Sequence, residues 1–169
     1  MGSRDSSSMS WPAEMRSRLD ALLDEYRRAL LASLDGLTED EARVRLVPSN
    51  TTLLGLVKHA TFVEGVWFDQ AVTGRTYDEI GIASSPARSF TLDASDTIRS
   101  VQHAYEARSE ASRAAMAELS FGDQVTGRGE RPVWALVVQV LRELAQHAGH
   151  ADILREQILA RRAPDASAG

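Results

Sequence analysis

The sequence predicts an all-α fold, a four-helix bundle, and three observations carry that reading. Four long stretches repeat apolar residues at three- and four-residue steps. No run alternates with period two between turn signals, and one long unpatterned stretch separates the second helix from the third. The 169 residues, 43% of them hydrophobic, suffice for one domain with a sizeable core.

The first helix runs from Trp11 through Met15, Leu19, Leu22, Leu23, Tyr26, Leu30 and Leu34 to a stop near Gly36, with Trp11 expected to seal its start. Thr38 followed by Glu41 predicts a capping box for a short helical turn before Pro48. The second long helix starts near Thr51 or Thr52, carries Leu53, Leu56, Val57, Ala60, Val63, Trp67 and Ala71 inward, and closes at Gly74. Residues 75–92 read as a long loop crossing the molecule. Asp93 or Ser95 caps the third helix, whose stripe is Ile98, Val101, Ala104, Tyr105, Ser112, Ala115 and Leu119. The segment "FGDQVTGRGERP" breaks it.

The last helix spans about Pro132 to Ala160, with Val133, Val137, Val140, Leu144, His147, Ala151, Leu154 and Ile158 forming a bundle seam. Trp67, Phe68 and Trp134 are expected in the core. Residues 1–10 read as a flexible extension and 161–169 as a flexible tail, leaving 11–160 for the bundle.

Composition narrows the function. The 19 basic and 24 acidic residues give a net charge of −5 without a long run of either sign, which argues against nucleic acid as a partner. No signal peptide and no apolar run long enough for a membrane span can be read, so a cytoplasmic protein without a membrane partner is expected. Cysteine is absent, which excludes thiolate ligands and a cysteine nucleophile. No serine sits in a nucleophile elbow, and no glycine-rich phosphate loop occurs.

The histidines are the remaining chemistry. Glu143 and His147 are four apart on one helical face, about 6 Å along the axis, a separation one ion bridges. His59 lies three residues after Leu56 and four before Val63, which turns it toward the same interior. Bundles build metal sites from such facing pairs, although hydrogen-bonded core histidines fit the same pattern. His150 extends the face of His147 as a pocket-lining or supporting group, Asp152 points elsewhere, and His103 has no partner at ligand spacing.

The segments "SNTTLLGLVKHATFVEGVWF" and "ELAQHAGHADILRE" together resemble the DinB-like superfamily over residues 11 to 160. The resemblance implies an up-down-down-up four-helix bundle, usually a homodimer, with a divalent metal held at one end. The metal ligands it implies are His59, Glu143 and His147. Glutamate at 143, where many members carry histidine, resembles the mycothiol-dependent maleylpyruvate isomerase branch. Zinc, nickel, iron or manganese suits two imidazoles and a carboxylate, and three ligands leave positions open for a substrate.

The activity implied is transfer or isomerisation dependent on a low-molecular-weight thiol that attacks an electrophile. Arginine far exceeds lysine, Lys58 being the only one, a usage that points to a high-GC bacterium and to mycothiol as the thiol. Arg142 and Arg155 are candidates for steering it, or plain surface charges. The helix stripe containing Ala104, Ala111, Ser112 and Ala115 would let a dimer partner approach. The alternatives are a non-catalytic metal-binding or regulatory bundle and a purely structural dimer.

Overall fold

The computed structural model describes residues 11–162, and the expected extension at 1–10 lies outside them. Of the expected tail, Arg161 and Arg162 are described, and Arg162 donates to the Gly36 carbonyl at 2.8 Å and to Glu41 at 2.5 Å. The chain is an all-α bundle. Its helices are α1 (Trp11–Ala32), α2 (Glu39–Arg43), α3 (Leu53–Glu64), α4 (Ala71–Thr73), α5 (Tyr77–Ile80), α6 (Pro86–Ser89), α7 (Ile98–Ala117) and α8 (Val133–Ala160). A π-helical stretch, Gly65–Gln70, joins α3 to α4 into one long rod.

The elements follow from local chemistry. Thr38 and Glu41 form the expected capping box on α2, Thr52 caps α3, and Gly74 ends α4 at φ +77°. Every seam residue of α8 is buried. That helix packs on α1 and α3, while α3 packs on α7. The core is continuous through Leu30, Leu34, Leu53, Leu56, Val57, Phe68, Tyr105, Leu136 and Leu144. Because helices surround α3, it is buried almost all round rather than on one broad face.

Several expectations are corrected. The stretch 75–92 is not all loop: a second capping box, Thr76 with Glu79, starts α5, and Ser85 with Pro86 starts α6. The cap of α7 is Thr97 rather than Asp93 or Ser95, because the helix starts only at Ile98 and Thr97 forms a capping box with Ser100, while Asp93 lies in the preceding turn with its carboxylate on Lys58 and its amide on Asp96. The breaker segment contains a two-residue antiparallel ladder, β1 (Gln124–Val125) with β2 (Arg131–Pro132). Gly127 at its tip donates to the Ala71 carbonyl at 3.0 Å, and a Cβ there would fall 2.2 Å from the Gln70 oxygen. Trp134, expected in the core, is 51% exposed, and Trp11, expected to seal the start of α1, is 72% exposed. Trp67 is half-buried, its ring facing the guanidinium groups of Arg128 and Arg131. On α7, Ala104 is exposed rather than turned inward.

One ion pair sits inside the bundle. Glu64 is fully buried, and Arg27 of α1 donates to its two oxygens at 2.9 Å each while also reaching Asp24 at 2.8 Å. Burial opposes the Arg27 charge, but the paired bonds to Glu64 outweigh it and raise the pKa further. Tyr105 lies against this pair with its pKa raised by burial and by the Glu64 charge. Arg27→Met would leave a buried carboxylate unpaired and should lower stability by about 3–5 kcal/mol, whereas Arg27→Met with Glu64→Leu should recover much of the loss. Denaturant unfolding of both variants checks this; a double variant no more stable than the single one would contradict it.

Candidate metal centre

His59 projects from the middle of α3 toward α8, where Glu143 and His147 stand one turn apart. One donor atom from each lies within 4.8 Å of the other two, and this is the one such three-residue group among the described residues. The His59 and His147 rings meet edge to face, 4.8 Å between centroids. Glu143 Oε2 lies 3.6 Å from His147 Nε2, beyond hydrogen-bond reach. The other oxygen, Oε1, accepts from Gln139 Nε2 at 2.9 Å and from Arg142 Nη2 at 2.5 Å, which orients the carboxylate.

The polar accounting is incomplete at His147. Both of its ring nitrogens are buried and neither has a hydrogen-bond partner. Leaving such an atom unsatisfied costs about 1–3 kcal/mol, so this arrangement suits a group that takes up a lone pair. Burial, then the neighbouring His147, lowers the His59 pKa to about 4. The pKa of His147 is also lowered, by burial above all, with Glu143 opposing and His150 adding. Both imidazoles are therefore neutral at pH 7, the protonation state a metal ligand requires. Two neutral nitrogens and one carboxylate fit a divalent transition ion.

The surroundings close one side. His59 stacks on Phe90, with centroids 3.9 Å apart and rings 15° from parallel, and more loosely on Phe62 at 5.9 Å. Its Nδ1 lies 2.6 Å from Ser89 Oγ. His150 is exposed, its ring 6.0 Å from that of His147, and it lines a cavity of about 250 Å³ with Val47, Ser49, Thr51, Ile153 and Leu154. Arg155 donates to the Ser33 carbonyl at 2.7 Å, which ties α8 to the end of α1. His103 and Asp152 are exposed and stand outside the three-residue group. Ser89, Phe90 and Gln139 escaped the sequence reading. The first two follow a Ser-Pro helix start that signalled α6, and Gln139 repeats the four-residue step before Glu143.

The all-helical bundle agrees with the DinB-like class that the sequence resembles. The sequence profile of the mycothiol-S-transferase family matches residues 18–160. The chain belongs to that family. A search among curated proteins finds no match.

The histidine shifts carry a signed consequence. An unfolded histidine titrates near 6.5 and the folded His59 near 4, so between these values the unfolded state binds more protons. Stability of metal-free protein should fall as pH drops from about 6.5 toward about 4. His59→Gln should reduce that slope in urea unfolding at pH 7 and pH 5; an unchanged slope would contradict the assignment.

Proposed function

We propose that this chain is a metal-dependent thiol S-transferase that holds one divalent cation through His59, Glu143 and His147 and joins a low-molecular-weight thiol, mycothiol in the first instance, to an electrophile. The observation that carries the reading is the pair of unpartnered, buried nitrogens on His147, facing His59 and Glu143. Family membership supplies the thiol and the transfer. Zinc, nickel, iron and manganese are all compatible with the donor set.

A divalent ion there would supply Lewis acidity that lowers the pKa of a thiol, and the single carboxylate leaves it positive charge for a thiolate to meet. The protein supplies the rest. His59 and His147 offer neutral lone pairs, and Gln139 and Arg142 hold the Glu143 carboxylate in place. Phe90 and Phe62 both stack on the His59 ring and shield it from water. On the open side, the apolar wall of Val47, Ile153 and Leu154 beside His150 offers an electrophile a surface. The chain has no cysteine, so the sulfur nucleophile comes from the thiol substrate.

We read the active species as a homodimer. The family resemblance supports this, as do Ala104 and Ala111, exposed on α7 where a second helix can approach closely; Ser112 of the same stripe is instead buried inside the bundle and Ala115 is half-buried. A non-catalytic metal-binding or regulatory bundle is the less favoured reading, because the family is one of transferases.

The test is conjugation of monochlorobimane by protein of verified metal occupancy, with mycothiol, bacillithiol, glutathione or coenzyme A. The expected result is metal-dependent conjugation with mycothiol, reduced at least about 100-fold in His147→Ala, in line with loss of a metal ligand. No rate above background with any of the four thiols would refute the transferase reading.

A further inference from the structure

The crossover between the second and third long helices does more than connect them. It brings two consecutive residues, Ser89 and Phe90, against His59. Ser89 is 1% exposed, and its hydroxyl makes two short contacts: 2.6 Å to His59 Nδ1 and 2.6 Å to the Pro86 carbonyl oxygen. A carbonyl can only accept, and a serine hydroxyl has one proton to give. Both contacts are satisfied when that proton goes to Pro86 and the imidazole donates in turn. The chain of donors then runs from His59 Nδ1–H to Ser89 Oγ–H to the Pro86 oxygen.

The alternative tautomer would spend the Ser89 proton on His59 and leave two oxygens, Ser89 Oγ and Pro86 O, lone pair to lone pair at 2.6 Å. With Nδ1 protonated, the lone pair of neutral His59 is on Nε2. No hydrogen bond engages that nitrogen among the described residues.

The ring plane is fixed as well. Phe90 stacks nearly parallel to His59, and the crossover can sit this close because residue 55 is glycine: a Cβ there would come within 2.8 Å of the Phe90 carbonyl oxygen. One short segment thus sets both the tautomer and the orientation of a ring that α3 alone would leave free to turn.

We propose that Ser89 is a positioning residue that holds His59 in its Nδ1–H tautomer and presents Nε2 toward Glu143 and His147 for a divalent cation. The cation-binding part rests on the function proposed above; the tautomer does not. A partner that orients a ligating histidine is worth about 10–100-fold in metal affinity.

Nitrogen-15 NMR of the imidazole rings in the metal-free wild-type protein at neutral pH reads the tautomer directly, and calorimetric titration with Zn²⁺ reads the affinity. His59 should carry its proton on Nδ1 in the wild type. Ser89→Ala should shift it toward the Nε2–H form and weaken Zn²⁺ binding about 10–100-fold. Ser89→Thr, which keeps the hydroxyl, should restore both. A wild-type His59 protonated on Nε2 would overturn the proposal without any variant, and so would a folded Ser89→Ala protein that binds Zn²⁺ as tightly as the wild type. Wild-type protein that binds no Zn²⁺ while His59 is Nδ1-protonated would refute the metal reading and uphold the role of Ser89 in setting the tautomer.

Discussion

A carboxylate cannot be placed at 0% exposure inside a helical bundle unless a cation is placed with it, and the Arg27–Glu64 pair is where this chain meets that requirement. The bond is bidentate, so it specifies the height and the rotation of α1 against α3 together. Ser109 adds a contact to the same carboxylate at 3.4 Å from α7, and Arg113, also on α7, reaches Asp24 beside Arg27. Three helices are therefore registered on one buried charge. Sliding any of them by a turn would strand that charge.

His59 lies five residues before Glu64 on the same helix, roughly 7.5 Å along the axis, and its position is inherited from this registration. The α8 seam approaches from the other side as an uninterrupted apolar stripe, with His147 taking one of its positions. A histidine at a seam position is costly unless its nitrogens find partners. Here the partners within reach are another neutral imidazole and a carboxylate too distant for a hydrogen bond. The packing that stabilises the bundle thus also concentrates donor atoms around a point they do not fill. The crossover then finishes the site by holding the one ring that faces it from α3.

Much of this was legible from periodicity. The α8 stripe could be written down residue by residue because a long helix between two packed neighbours repeats its burial faithfully, and His59, Glu143 and His147 follow from the same arithmetic applied to two helices. What periodicity could not reach lies where the chain has none. Ser89 and Phe90 belong to a four-residue helix and its cap, too short to show a repeat. The strands β1 and β2 have two residues each. Thr76 with Glu79 carries the same capping-box signal as Thr38 with Glu41, but the glycine, serine and proline that surround it read as a loop and mask a helix of only four residues. Trp11 and Trp134 show the limit of hydrophobicity as a guide: apolar side chains also remain on protein surfaces, and size does not bring a residue inside.

The central claim is that two helices and a crossover together build one site for a divalent cation. The most direct measurement is a crystal structure of metal-loaded protein with anomalous scattering collected at the metal edge. A single peak per chain within bonding distance of His59 Nε2, a Glu143 oxygen and a His147 nitrogen, with Ser89 still on His59 Nδ1, is the predicted result. A peak elsewhere in the bundle, or none at a metal content of one per chain, would contradict it.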